Sequence, residues 1–295
     1  MTDRDDRMVN VADGWSPRRL ALYGVGQVGT MIGLAARSRG FARQIVVADP
    51  DGDALAASRA RGLRPDGYVG PDAGQVDADV IVLAAPVPRI VELVERIGPR
   101  LRSEQLLIDT GGAKSVVVEA MRSIPADSHA IGGHPMAGTE IPGAAGARPE
   151  ALQGAPFVLT PARDDDVALR RARRFVEALG ARPVIASAEE HDRIVARTSH
   201  LPHVAAFGLA AVAAAVGPPA RVAQLSGSGF RGATRLAASD PKMVAAFLSA
   251  NRAEVRAAID QLLTVVRGLD RTLNDPDALA AMLAHMGGSN TVEAR

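Results

Sequence analysis

Short apolar runs alternate with amphipathic stretches through the first half of the chain. Residues 20–23, 44–48, 79–85 and 106–108 are apolar or β-branched runs. The third is apolar throughout after its first residue, as a strand covered on both faces must be. Between them, 27–38 is a helix closed by Gly40, 88–97 carries Ile90, Val91, Val94 and Ile97 at helical spacing, and 114–121 is a further helix. Residues 129–132 and 157–160 read as short strands around a Gly/Pro-rich loop, 167–179 as a helix stopped by Gly180, and 184–186 as a last strand. Repeated strand–helix units predict an α/β Rossmann-type, doubly wound, mostly parallel sheet.

The pattern changes after Ala188, beyond which no strand is expected. Residues 189–216 are helical in composition, with Pro202 as the expected kink. Asp240-Pro241 supplies an N-cap and a first helical position. A helix over 242–273 would hold about 32 residues and span roughly 48 Å. Its apolar positions Val244, Phe247, Leu248, Val255, Ile259, Leu262, Leu263 and Val266 recur at threes and fours. Such a helix has too few partners within one small domain, so an all-α dimerisation domain, paired with its copy in a homodimer, is predicted. The expected division is a disordered tail over 1–17, a dinucleotide-binding domain over 18–187, the helical domain over 188–285 and a tail over 286–295. The polar N-terminal stretch lacks the apolar centre of an export signal. The longest apolar run, 204–216, is shorter than the roughly 18 residues that cross a bilayer. A soluble, cytoplasmic protein without a membrane partner is expected.

Composition narrows the chemistry. Of 295 residues, 47% are hydrophobic and 23% charged, so a sizeable core is available. The net charge of +1 and an aromatic content of 3% argue against nucleic-acid binding. Cysteine is absent, which removes disulfides, thiolate zinc sites and a cysteine nucleophile together. Lys114 and Lys242 are the only lysines in an arginine-rich chain.

Gly24-Val25-Gly26-Gln27-Val28-Gly29 matches G-x-G-x-x-G between a strand and a helix, and the next strand ends in Asp49, 20 residues after Gly29. The first glycine permits a tight turn, the second lets a pyrophosphate approach the helix N-terminus, and the third allows close helix–strand packing. Asp49 is suited to the ribose hydroxyls and repels a 2′-phosphate, which favours NAD over NADP. Arg43, before that strand, can modify the choice. Ala85 and Pro86 end the following strand, on the edge that borders a cofactor crevice. A bland alternative is a Rossmann-like domain with a vestigial loop.

His134 follows an apolar strand between glycine and proline. An imidazole there can take a hydroxyl proton as hydride leaves the same carbon. The competing reading is a loop histidine bonded to backbone. Four blocks in order, Gly133-His134-Pro135-Met136-Ala137-Gly138-Thr139-Glu140, Ser199-His200-Leu201-Pro202-His203, Gly227-Ser228-Gly229-Phe230-Arg231 and Thr234-Arg235-Leu236-Ala237-Ala238-Ser239-Asp240-Pro241, resemble the prephenate/arogenate dehydrogenases. The resemblance covers about 20–273. It implies a nicotinamide-binding domain with a helical dimerisation domain. It also implies oxidative decarboxylation of a cyclohexadienyl substrate with NAD, in which hydride leaves ring C4 and CO2 leaves the ring. By resemblance, His134 is the acceptor for the C4 substituent, Arg235 holds a substrate carboxylate, and His203, Ser199, Gly112, Lys114, Thr139 and Glu140 line the substrate. Thr110 falls with Gly24, Gly26, Gln27, Val28, Gly29, Asp49, Ala85 and Pro86 on the cofactor side.

The chain also departs from that family. Gly112 stands where many members carry a serine, Gly232 replaces an acidic residue, Ala233 an aromatic one, and Val244 a tryptophan. Prephenate is the first expectation, with 4-amino-4-deoxyprephenate of an antibiotic pathway and arogenate as alternatives. A non-catalytic NAD(H)-sensing dimer stays open, as does a β-hydroxyacid dehydrogenase, although the latter usually carries its catalytic lysine on a second-domain helix. His200 and His203 share a helix face, yet no third ligand appears at metal-binding spacing, and no metal is expected. Both lysines lie inside family-like blocks, where an arginine fork does not fit or where they are chance survivors. His134 is expected to titrate near the ordinary value of about 6.5.

Overall fold

The computed structural model describes residues 15–139 and 141–288. Its first part contains strands β1 (Arg19–Tyr23), β2 (Gln44–Ala48), β3 (Gly67–Tyr68), β4 (Val80–Leu83), β5 (Leu106–Asp109), β6 (His129–Pro135), β7 (Pro156–Pro161) and β8 (Arg182–Ile185). Helices α1 (Gln27–Ser38), α2 (Gly52–Ala60), α3 (Val87–Ile97), α4 (Ser115–Arg122) and α5 (Asp166–Ala178) connect them. One 8-stranded sheet results, in the order β3-β2-β1-β4-β5-β6-β7-β8. The strands from β3 to β6 run parallel, and β7 turns back antiparallel to β6, with His134 opposite Val158. The chain leaves β1 in one direction for β2 and β3, and in the other for β4, β5 and β6. The reversal opens a crevice at the carboxyl ends of β1 and β4. The ends of β5 and β6 lie on the same edge, because both run parallel to β4.

The central strands are apolar because both faces are covered. β4 and β5 are buried along their whole length. Leu20, Leu22, Val80, Val82, Ile108 and Phe175 pack on one side, and Ile81, Leu83, Leu107, Ile90 and Val117 on the other. Trp15, assigned above to the N-terminal tail, is buried near Phe41, and its carbonyl accepts from Arg174. Residues 1–14 of that tail lie outside the described residues.

From Ala188 the described chain is helical: α6 (Ala188–Val195), a π turn over Ala196–His200, α7 (Leu201–Ala214), α8 (Pro219–Leu225), α9 (Ser228–Thr234), α10 (Pro241–Ala250), α11 (Arg252–Thr272) and α12 (Pro276–Gly288). The π turn, with one extra residue, stands just before Pro202, so the irregularity expected at the proline lies in the turn N-terminal to it. The single helix expected over 242–273 is two. Asn251 interrupts it at φ −108°, ψ 30°. Its amide nitrogen donates to the Asp192 carbonyl at 2.8 Å and stands 3.3 Å from His200 Nδ1. An asparagine side chain that bonds elsewhere competes with the regular helix. Helix α12 was not anticipated and runs into the stretch expected as a C-terminal tail, whose remainder lies outside the described residues. Among the described residues no single helix is long and apolar enough to cross a membrane.

The Asn251 bond fastens α10 and α11 to α6. Asn251→Ala is expected to lower the unfolding free energy by about 1–2 kcal/mol, a hydrogen bond's worth, read from urea midpoints at unchanged m-value.

Candidate active site

The glycine loop is shaped for a phosphate. Gly24 adopts φ +95°, and a Cβ there would stand 2.2 Å from the Ala84 carbonyl oxygen. A Cβ on Gly29 would meet the Gly24 carbonyl oxygen at 2.0 Å, so only glycines close this turn. At Gly26 the same atom would meet nothing within 4 Å. Gly26 is also the N-cap of α1 and offers no side-chain cap, leaving the first amides, including those of Gln27 and Val28, to a ligand. Asp49 follows β2 beside this loop. Its carboxylate accepts from the Val25 amide and the Asp51 amide, each at 2.9 Å. Ala85, Pro86 and Thr110 lie beyond the ends of β4 and β5, with the Ala85 amide packed close to Gly24. This open, amide-lined cradle fits a dinucleotide pyrophosphate.

His134 ends β6 on the same edge. Its Nδ1 lies 2.8 Å from His191 Nε2, and His191 Nδ1 lies 2.8 Å from Asp192 Oδ1. The Asp192 carboxylate also accepts from the amides of Lys114, at 2.7 Å, and Ser115, at 2.9 Å, which open helix α4. Burial pushes the Asp192 carboxyl up, but the bonds from His191, Ser115 and the Lys114 amide outweigh it and hold the group at about 2. Burial drives His134 down, and the neighbouring His191, Lys114 and His200 add to it against Asp192, so its pKa lies well below 6.5. The ordinary value expected from sequence is therefore corrected downward. An imidazole in this setting is neutral at neutral pH and free to accept.

Lys114 is fully buried. Its ammonium bonds the Asp109 carboxylate and donates to the Gly133 carbonyl at 2.7 Å. Asp109 in turn accepts from the amides of Gly111 and Gly133, at 2.7 and 2.9 Å. Burial lowers the Lys114 pKa, and Asp109 and Asp192 oppose it. Lys114 thus braces the backbone beside His134. Lys242 is exposed, and nothing in its surroundings requires a lysine.

The helical domain closes the other wall. His200 Nε2 donates to the Gly112 carbonyl at 3.1 Å, and its ring stacks on Phe247 at 4.7 Å. Burial holds His200 down at about 4. His203 meets the edge of Phe247 at 5.2 Å and bonds the Ser199 carbonyl through Nδ1 at 2.8 Å. A Cβ on Gly112 would stand 3.4 Å from Phe247 Cβ and 3.9 Å from His134 Cε1. His134, Gly112, Phe247, His200 and His203 thus form one contiguous cluster. Arg235 lies on a turn packed against α7, the helix that carries His203. Thr139 is placed differently from the substrate role expected for it. Its hydroxyl is engaged by Gln27 Nε2 at 2.8 Å and by the Gly146 carbonyl at 3.2 Å, so it fastens its loop to the glycine turn. Glu140 lies outside the described residues. Among the described residues no three His, Asp or Glu side chains are placed to hold a metal ion together.

Sequence reasoning missed Asp109, His191, Asp192, Phe247 and Asn251. No spacing pairs His191 with His134, 57 positions away. Phe247 reads as one more apolar position on a helix stripe.

A Gly-rich nucleotide cradle, a neutral histidine on the same sheet edge and a helical second domain define a nicotinamide-nucleotide dehydrogenase of the two-domain type. Residues 32–185 match the model of the prephenate dehydrogenase nucleotide-binding domain and residues 187–287 that of the prephenate dehydrogenase dimerization domain. The chain belongs to the prephenate dehydrogenase family, which is a family of oxidoreductases. It is 28% identical over 265 residues to the cyclohexadienyl dehydrogenase of Zymomonas mobilis, covering 88% of this chain and 90% of that one. With the prephenate dehydrogenase of Bacillus subtilis it shares 27% over 266 residues, 88% of this chain and 71% of the other. Its fold is similar to the crystal structure of prephenate dehydrogenase from Aquifex aeolicus in complex with hydroxyphenyl propionate and NAD+. That match has a TM-score of 0.81 at 25% identity, covering 92% of this chain and 96% of that one.

The Lys114 slot separates charge from shape. Lys114→Met strands a buried carboxylate and is expected to cost about 3–5 kcal/mol of stability. Lys114→Arg keeps the charge but overfills the slot, at about 1–3 kcal/mol. Urea titrations should rank wild type above Arg and Arg above Met, and an arginine variant with unaltered stability and kcat/KM would contradict the fit.

Proposed function

We propose that the chain catalyses the NAD-dependent oxidative decarboxylation of prephenate to 4-hydroxyphenylpyruvate. The observation that carries this reading is the neutral His134 imidazole, on the sheet edge that also holds the nucleotide cradle. NAD+ supplies the hydride acceptor. His134 accepts the hydrogen bond of the C4 hydroxyl as hydride leaves that carbon. Arg235 pairs a substrate carboxylate through its guanidinium fork, and His203 and Phe247 line the ring. Loss of CO2 leaves its electron pair in the ring, which becomes aromatic.

The same chemistry on 4-amino-4-deoxyprephenate is the second reading, favoured by Gly112. No hydroxyl faces His134 from that position, and a Cβ at Gly232 would meet nothing within 4 Å. An ammonium at C4 must lose a proton before hydride departs, whereas the hydroxyl substrate yields a phenol and releases none. NADH formation from each substrate, with proton release followed in parallel, separates the readings. A large preference for the amine with one proton released per turnover would replace the first by the second.

The helical domain is inferred to pair with a second copy. Leu209, Val212, Val216, Leu225 and Val266 are large apolar side chains left exposed in the single chain. Light scattering is expected to give twice the chain mass, and a monomer would overturn the inference.

His134→Asn should lower kcat by about 10²–10⁴-fold while NAD+ binding survives in calorimetry. Because His134 titrates well below 6.5, kcat/KM should hold as pH falls through that value and drop only below it. Arg235→Ala should chiefly raise KM, since the carboxylate is present in ground and transition states alike.

A further inference from the structure

We propose that His191 and Asp192 are positioning residues that fix His134 in one tautomer, with Nδ1 protonated and Nε2 bare toward the crevice. The inference rests on the acceptor role of His134 given above, and it follows from donor and acceptor arithmetic. Asp192 is an ionised carboxylate and only accepts. The 2.8 Å contact from its Oδ1 therefore puts a proton on His191 Nδ1. Where that is the ring's one proton, Nε2 is an acceptor, and the 2.8 Å contact with His134 Nδ1 requires the proton on His134. Nε2 is left as the lone pair of His134. It has no hydrogen-bond partner among the described residues, and the ring is only half-buried.

The line of bonds ends inside the protein. His191 and Asp192 are each 3% exposed, and the Asp192 carboxylate is held by the Lys114 and Ser115 amides. It therefore orients His134 and stabilises positive charge developing there, and it does not conduct a proton to solvent. The chemistry needs no exit. Prephenate dianion and NAD+ give 4-hydroxyphenylpyruvate anion, CO2 and NADH with no proton in the balance. The proton shared with Nε2 as the C4–H bond breaks returns to the phenol oxygen after the C–CO2 bond has broken.

The wild-type enzyme with NAD+ bound, labelled with 15N-histidine, tests the tautomer directly. Correlation of each ring nitrogen with the carbon-bound protons, assigned against His134→Asn, should show His134 protonated at Nδ1 and bare at Nε2. The reverse pattern overturns the proposal whatever the activity. Three variants separate orientation from packing. His191→Leu removes the acceptor and should lower kcat by about 10²-fold with KM changed less than about threefold. His191→Gln offers a carbonyl oxygen near the position of Nε2 and should recover about tenfold of that loss. Asp192→Asn keeps an acceptor oxygen toward the Lys114 amide and His191 Nδ1 but turns its NH2 against the Ser115 amide and removes the charge, so kcat should fall with the His134 pattern unchanged. Equal kcat in the Leu and Gln variants, or a Leu variant with unaltered kcat, overturns the assignment. If the wild-type pattern is as expected but neither prephenate nor its amino analogue is turned over, the substrate reading fails and the tautomer assignment stands.

Discussion

The carboxylate of Asp192 is the contact on which the rest of the structure turns. A helix leaves its first amides without intrahelical partners, and α4 has no side-chain cap of its own. Asp192 reaches across from the helical domain, takes two of those amides and places a negative charge on the positive end of the helix. The same carboxylate takes the His191 proton. If the helical domain moved away, α4 would lose its cap and His134 its orienting partner in one step. The closed arrangement of the domains and a competent acceptor are therefore one state of the molecule.

Lys114 shows how tightly this region is coupled. Its amide bonds Asp192 of the helical domain, while its ammonium bonds Asp109 of β5 and the Gly133 carbonyl of β6. A buried charge is tolerated only when paired and hydrogen-bonded, and Asp109 completes that pairing with two backbone amides. The cost of burial brings a functional return, because the ammonium lies near enough to His134 to help keep it neutral. In an arginine-rich chain, the lysine kept here places a single nitrogen between Asp109 and the Gly133 carbonyl.

Local signals in the sequence were enough for the doubly wound sheet, the glycine loop and His134. Each depends on neighbours within a few positions: a strand, a turn that only glycine closes, a helix start. The break at Asn251 was not legible, because it depends on a carbonyl 59 positions away, and the apolar period continues across it. The roles of His191 and Asp192 were hidden for the same reason. They sit in an ordinary amphipathic helix, and only the packing of α6 against α4 turns them toward β6. Thr139 carried a family-like motif, yet its hydroxyl is taken by Gln27, 112 positions earlier. Motif membership marked the right loop and not what each of its side chains touches.

Gly112 acquires meaning from this arrangement. A hydroxyl at that position could both orient His134 and contact the substrate, so removing it would ordinarily disturb the base and the specificity together. Here the orientation of His134 comes through Nδ1 and His191. The space a Cβ would occupy at Gly112 faces Cε1 of His134 and the Phe247 ring instead. Gly112 thus gives the base no side-chain support, and under the proposed function it is free to bear on the C4 substituent. Under that reading, positioning falls to His191 and Asp192 and selection to Gly112, on different elements, so the group at C4 can vary while the acceptor stays in place.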